Sequence, residues 1–158
     1  MPSRRLIAAA ALGIVGLLAV LLVPRGGGGA LSKPEYEQKV RAVYSDVQEA
    51  FQKTNVTQTK LLATRVAEAQ RELRSAADEL DDAKAPGDIK AENDQLVDGM
   101  REYADDLEEL RQAAERDDSA GVVRFNQSIP ENPAVKKIAE AAEEMKFEGY
   151  DLGPISEE

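Results

Sequence analysis

An uninterrupted apolar run of 18 residues at positions 6–23 constrains this chain more than any other feature. As an α-helix it spans about 27 Å, which matches the hydrocarbon core of a bilayer. Arg4 and Arg5 precede the run, and Pro24, Arg25 and four consecutive glycines follow it. The run therefore predicts either a transmembrane anchor or the apolar core of a secretory signal peptide.

The length of the run and the position of the nearest cleavage site bear on which interpretation applies. A signal peptide has an apolar core of about 7–15 residues followed by a small-residue cleavage site. Here the core is longer, and the best cleavage position, after Ala30, lies beyond the glycine stretch. The chain has no cysteine, which excludes an anchor made by a lipid-modified cysteine. We expect an uncleaved anchor, with secretion after cleavage near Ala30 as the alternative.

Both interpretations place the rest of the chain outside the cytoplasm. Two arginines precede the apolar run and only Arg25 follows it closely, so the positive-inside rule leaves residues 1–5 in the cytoplasm. The sequence therefore predicts a single-pass protein of the cell membrane. It contacts the membrane through residues 6–23 and has an extracytoplasmic C-terminal domain.

The body of the chain after residue 30 is strongly acidic. It contains all 30 acidic residues and 17 of the 20 basic ones, which gives it a net charge of −13. Such a charge keeps a domain soluble and repels nucleic acid and anionic headgroups. We expect no nucleic-acid partner, and we expect charged partners to be cationic.

The chain also lacks the residues on which most catalytic and metal sites depend. It has neither histidine nor cysteine, the commonest general base and the usual ligands of zinc, haem and iron–sulfur centres. It contains no Gly-x-Ser-x-Gly, no phosphate-binding loop and no calcium-loop motif. We therefore expect a protein without enzymatic activity, bound metal or cofactor.

Helical periodicity runs through residues 32–150, after a glycine-rich linker at residues 24–31. Apolar residues recur at three- and four-residue spacing over three long segments, at about residues 32–54, 57–84 and 88–115. Ser32 and Glu35 form a capping-box pattern at the start of the first segment. In the turn before the third segment, Gly87 permits a sharp change of direction and Asp88 suits a helix start.

The last quarter of the body is broken up. Asp117 and Asp118 are placed to cap a short segment, residues 129–133 interrupt it, and Asn132 then caps a further helix. Gly149 supplies the left-handed residue that ends this helix. Residues 151–158 read as a flexible polar tail.

These segments define the expected fold class. It is all-α, with an N-terminal transmembrane or signal helix followed by an up-down-up-down four-helix bundle whose fourth helix is broken. A longer antiparallel hairpin of the second and third helices that forms a homo-oligomer is the alternative arrangement. Short connections make neighbouring helices antiparallel in both cases.

Six residues are candidate ligand or partner contacts. Asn93 is a polar residue on an apolar stripe, where a buried amide sets helix register or contacts a ligand. Two aromatic residues near helix ends are candidates for a small exposed apolar site, and three acidic residues are candidates for a weak cation or basic-partner patch: Phe125 and Phe147, and Asp105, Asp106 and Glu109. Most of these carboxylates are expected on a solvated outer face.

Two stretches carry a resemblance to known proteins. The segment APGDIKAE at residues 85–92 and the ending PAVKKIAEAAEEMKFEGYDLG at residues 133–153 resemble small exported helical proteins of high-GC Gram-positive bacteria. In those proteins a signal or anchor precedes a helical bundle, and function is mostly unassigned. The resemblance implies the same fold and location and brings no catalytic residues.

Two main functions follow as hypotheses from this reasoning, and a hydrolase with an unrecognised site is a third with less support. The first is an anchored bundle that binds or positions another component of the cell envelope, and we expect that partner to be a protein. The second is a secreted or tethered carrier of a small molecule or lipid, with an apolar site between the broken fourth helix and the first and third helices.

Overall fold

The computed structural model describes residues 29–153, and every regular element in that range is helical. The five α-helices are α1 (Lys33–Gln52), α2 (Thr59–Asp82), α3 (Lys90–Glu115), α4 (Ser119–Ser128) and α5 (Pro133–Phe147). Single 3₁₀ turns lie at Gly87–Ile89 and Ile129–Glu131. The all-α prediction is confirmed for these residues. The apolar run at residues 6–23 lies outside them, and no helix within them is long and apolar enough to cross a membrane.

Helices α2 and α3 form the most extensive helix pair. Arg74 of α2 reaches Asp105 of α3 at 2.7 Å, and Arg101 of α3 contacts Asp78 at 2.7 Å and Asp81 at 2.9 Å. A later residue of one helix therefore meets an earlier residue of the other, so the two helices run antiparallel. Alanines on the facing stripes allow close approach, because they place no bulk beyond Cβ between the backbones.

The two short C-terminal helices lie one after the other along α3. The Asn132 side chain between them donates to Asp106 at 2.8 Å, and Lys137 of α5 reaches Glu102 at 2.6 Å. As the chain advances from residue 132 to 137, its partners on α3 move backwards, so α5 is antiparallel to α3. Together α4 and α5 occupy the place that the sequence predicts for a broken fourth helix.

One apolar core runs through the bundle and receives side chains from all five helices. Its largest fully buried members are Tyr36, Val40, Val66, Leu80, Ile89, Leu107, Met145 and Leu152. Gly99 on α3 lets α5 approach closely, because a Cβ at this position would lie 2.9 Å from Ile138 Cγ1 and 3.2 Å from the Ala134 carbonyl oxygen.

The predicted helix caps are found at three of the helix starts. The Glu35 carboxylate accepts hydrogen bonds from the Ser32 hydroxyl at 2.6 Å and from the Ser32 backbone amide at 2.9 Å, which lower the pKa of Glu35. Asp118 accepts from the Gly121 amide at 2.9 Å. Asn132 accepts from the first two free amides of α5, at 2.8 and 3.1 Å.

The turn between α2 and α3 differs from its predicted form. The left-handed residue is Lys84, with a φ of 51°, whereas Gly87 begins a 3₁₀ turn. Asp88 does not start α3, which begins at Lys90; its carboxylate instead accepts a hydrogen bond from the Tyr150 hydroxyl. A contact with the other end of the chain therefore determines the role of this residue.

Helix α5 ends at the predicted left-handed glycine, and the chain after this glycine continues to pack on the bundle. Gly149 has a φ of 81°, and the Tyr150 amide donates back to the Met145 carbonyl at 3.0 Å, as in a Schellman motif. The closure turns the chain back over the bundle, where Leu152 is fully buried. The packed body thus extends past residue 150, where the sequence places the start of a loose tail.

Candidate functional site

A groove of about 400 Å³ lies on the outer surface between α2 and α3. Its α2 wall consists of residues at helical spacing along one face, and its α3 wall comes from the last turns of that helix. The lining residues are Lys60, Ala63, Thr64, Ala67, Arg71, Arg111 and Glu115. The two alanines leave space between the helices, while Lys60, Thr64 and Arg71 are exposed at the rim.

The groove is basic although the body is acidic. Arg111 is held by Glu108 through two hydrogen bonds, at 2.8 and 2.5 Å. The hydrogen bond from Arg111, aided by one from Gln112, lowers the pKa of Glu108 to about 2. Lys60 and Arg71, by contrast, form no salt bridge with any residue between 29 and 153. The groove therefore offers an anionic group two cations that form no salt bridge, although the Glu115 carboxylate, which pairs with Arg111, also lines it.

Sequence reasoning did not find this groove. The sequence contains the α2 half of the groove as a pattern of residues on one helix face. These residues recur at spacings of four, three and four: Lys60, Thr64, Ala67 and Arg71. The contribution of Arg111 depends on how α2 and α3 are aligned, and a one-helix pattern does not specify that alignment.

Asn93, a predicted ligand or partner contact, is buried in the core. It is 3% exposed, and its side-chain oxygen accepts a 2.8 Å hydrogen bond from the Tyr36 hydroxyl. Burial raises the pKa of Tyr36 above its ordinary range, and the neighbouring Tyr150 adds to the shift. The edge of one of these two tyrosine rings meets the face of the other at a centroid distance of 6.0 Å. Asn93 thus joins α1 to α3.

The three predicted acidic contacts do not form one binding site. Asp105 pairs with Arg74, and Asp106 accepts from the Asn132 amide. Glu109 is exposed and makes no ion pair within the described range. Among residues 29–153 no three carboxylates are grouped closely enough to hold a metal ion.

Of the two predicted aromatic contacts, one is buried and the other is exposed. Phe125 is 5% exposed and packs in the core, so it is not an exposed apolar site. The α4 stripe that carries it faces α3, and Val123 on the other side of α4 is 39% exposed instead. Phe147 is 95% exposed at the end of α5.

The chain enters the bundle at the same end as Phe147. The Leu31 amide donates to the Lys84 carbonyl at 3.0 Å, which ties the entering chain to the end of α2. Lys33 donates to the Glu148 carbonyl at 3.5 Å and lies 4.6 Å from the centre of the Tyr150 ring. These contacts fix where the N-terminal segment leaves the body.

Comparisons with protein-family models, with curated proteins and with solved structures found no match. Two features of the described residues bear on function. One is the basic groove between α2 and α3, and the other is the bundle end where the chain enters.

Proposed function

We propose that this chain is a membrane-anchored, non-enzymatic module whose extracytoplasmic bundle binds another cell-envelope component through the groove between α2 and α3. The observation that carries the proposal is the hydrogen bond from Leu31 to Lys84, which ties the chain's entry to one end of the bundle. Seven residues separate Leu31 from the apolar run. Glycine-rich sequences of that length have an end-to-end distance of about 15 Å, which would keep the bundle close to the membrane.

The groove lies towards the opposite end of the bundle. Lys60 is near the start of α2 and Lys84 just follows its end, about 35 Å away along the helix axis. A bundle tethered at the Lys84 end presents the groove away from the membrane. The module thus keeps its binding surface at the end of the bundle that is farther from the anchor.

The groove favours an anionic partner. The acidic surface as a whole attracts cations, but the free Lys60 and Arg71 make this groove a local exception. They are 11 positions apart, about 16 Å along the helix, which suits a partner carrying several carboxylates rather than one small anion. An acidic protein segment meets this requirement.

The packing favours a binding module over a carrier. The carrier hypothesis needs an apolar space between the broken fourth helix and helices α1 and α3. Side chains from those helices already meet in the core, and Tyr36, Phe125 and Met145 are each at most 5% exposed. A ligand there would have to displace packed side chains, which is costly.

The anchor is tested by fractionating cells that express the full chain with a C-terminal tag. A full-length membrane species that external protease removes from spheroplasts supports the proposal. A soluble species with the mass of a chain starting at Leu31 contradicts the anchor.

The partner surface is tested by placing a photoreactive amino acid at Thr64 in the groove and, as a control, at the exposed Ala139 on α5. We expect a discrete crosslinked product in intact cells from position 64 alone. The double substitution K60E/R71E should abolish it, because both free cations become anions. Equal products at both positions, or a product that survives the charge reversal, contradict the role of the groove.

A further inference from the structure

Phe147 is the most exposed large apolar side chain in residues 29–153. It is 95% exposed, whereas Leu61 and Val123 are 39% exposed. A fully solvated aromatic ring at a helix end adds nothing to the core, since its apolar surface remains in water. Such a ring is available to meet another surface.

The ring lies at the bundle end where the chain enters. Glu148 directly follows Phe147, and its carbonyl accepts the hydrogen bond from Lys33 in the first turn of α1. Leu31, two residues earlier, is bonded to the end of α2. The last turn of α5 and the exit of the tether are therefore neighbours.

The tether limits how far this end lies from the apolar run. The seven residues between Val23 and Leu31 span at most about 25 Å when fully extended. If the run spans the membrane, as the proposed function requires, the end bearing Phe147 remains within reach of the headgroup region.

We propose that Phe147 contacts the membrane that holds the anchor, with its ring inserted at the lipid–water interface. The occupant of this apolar surface is the lipid itself, because the tether keeps the ring beside lipid at high effective concentration. This inference rests on the anchor in the proposed function but not on the groove.

Charge at this end does not supply the contact. Lys33 and Lys146 lie near the ring, but so do the exposed carboxylates of Glu144 and Glu148. Opposed charges of this kind give no net attraction to anionic headgroups. One ring alone is too small to hold a soluble domain on a bilayer, so the contact depends on the tether.

The absence of tryptophan from the chain allows a direct test. The full-length Phe147→Trp variant carries a single tryptophan, whose emission is separable from that of the four tyrosines. Leu61→Trp, at the start of α2 and so towards the other end of the bundle, is the control. Both are reconstituted into phosphatidylcholine vesicles with or without brominated acyl chains. We expect blue-shifted emission that bromine quenches at position 147, and emission that bromine does not quench at position 61, where the native side chain is only 39% exposed.

Flotation of the same vesicles separates the possible failures. Chain that floats while position 147 stays unquenched leaves the anchor intact and overturns the lipid contact. Blue-shifted emission without quenching by bromine also overturns it, because the ring is then buried against protein, such as a second copy. Chain that does not float overturns the anchor and this contact together.

Discussion

The Tyr36 hydroxyl donates a 2.8 Å hydrogen bond to the Asn93 side chain and thereby joins α1 to α3 inside the core. The two residues are 0% and 3% exposed, so water does not replace either partner. A buried polar group that loses its partner destabilises a protein more than the bond itself stabilises it. This pair therefore links α1 to α3 at this point in the core.

Replacement of Tyr36 by Phe should lower the free energy of unfolding by about 1–3 kcal/mol, since it leaves the Asn93 oxygen unpaired. The measurement is urea unfolding of the full chain in mild detergent. The double variant Y36F/N93L should recover part of the loss, because both polar partners are then absent. Strictly additive effects of the two substitutions would show that the hydrogen bond does not couple the residues.

Replacement of Gly99 by Ala should lower the free energy of unfolding by about 1–3 kcal/mol, although alanine is the better helix former. The added Cβ meets Ile138 and the backbone of Ala134, so α5 has to move. Gly87→Ala is the control, because a Cβ there meets nothing within 4 Å. Equal stability of both variants would mean that α5 does not pack on Gly99 as described.

Replacement of Asn132 by Ala should cost about 1 kcal/mol, because the first amides of α5 lose their acceptor. Asn132→Ser keeps a capping oxygen but loses the bond to Asp106, so it should retain most of the stability. Thermal unfolding followed by circular dichroism compares the two. A serine variant as unstable as the alanine variant would assign the effect to Asp106 instead.

Stability should fall at alkaline pH. Burial, with the charge of Asp106, raises the pKa of Tyr103 to about 12; burial and then the hydrogen bond to Asp88 raise the pKa of Tyr150 to about 12. Unfolded tyrosines lose their protons near pH 10, so this contribution is intact below about pH 10 and is lost towards about pH 12.

Unfolding midpoints across this pH range measure the effect, and Tyr103→Phe is the control. The variant has no hydroxyl to ionise at position 103, so its stability should fall less steeply with pH than that of the wild-type chain. Parallel curves for the two proteins would mean that Tyr103 titrates as if it were exposed.

Much of the fold follows from interactions between residues close in the chain. The apolar spacing predicts each helix to within a few residues. The caps at Glu35, Asp118 and Asn132 and the turn at Gly149 also depend on partners at most a few positions away. These features are local because a helix forms its hydrogen bonds within itself.

The sequence by itself thus determined an all-helical body with a break in its last quarter, preceded by an apolar run. Only the tertiary structure decided which side chains meet across helices. It placed Phe125 in the core, left Phe147 in solvent, buried Leu152, and set Lys60 and Arg71 beside Arg111 in one groove. The reason is physical: the alignment of helices depends on the packing of many distant side chains at once, and the periodicity of one helix does not contain it.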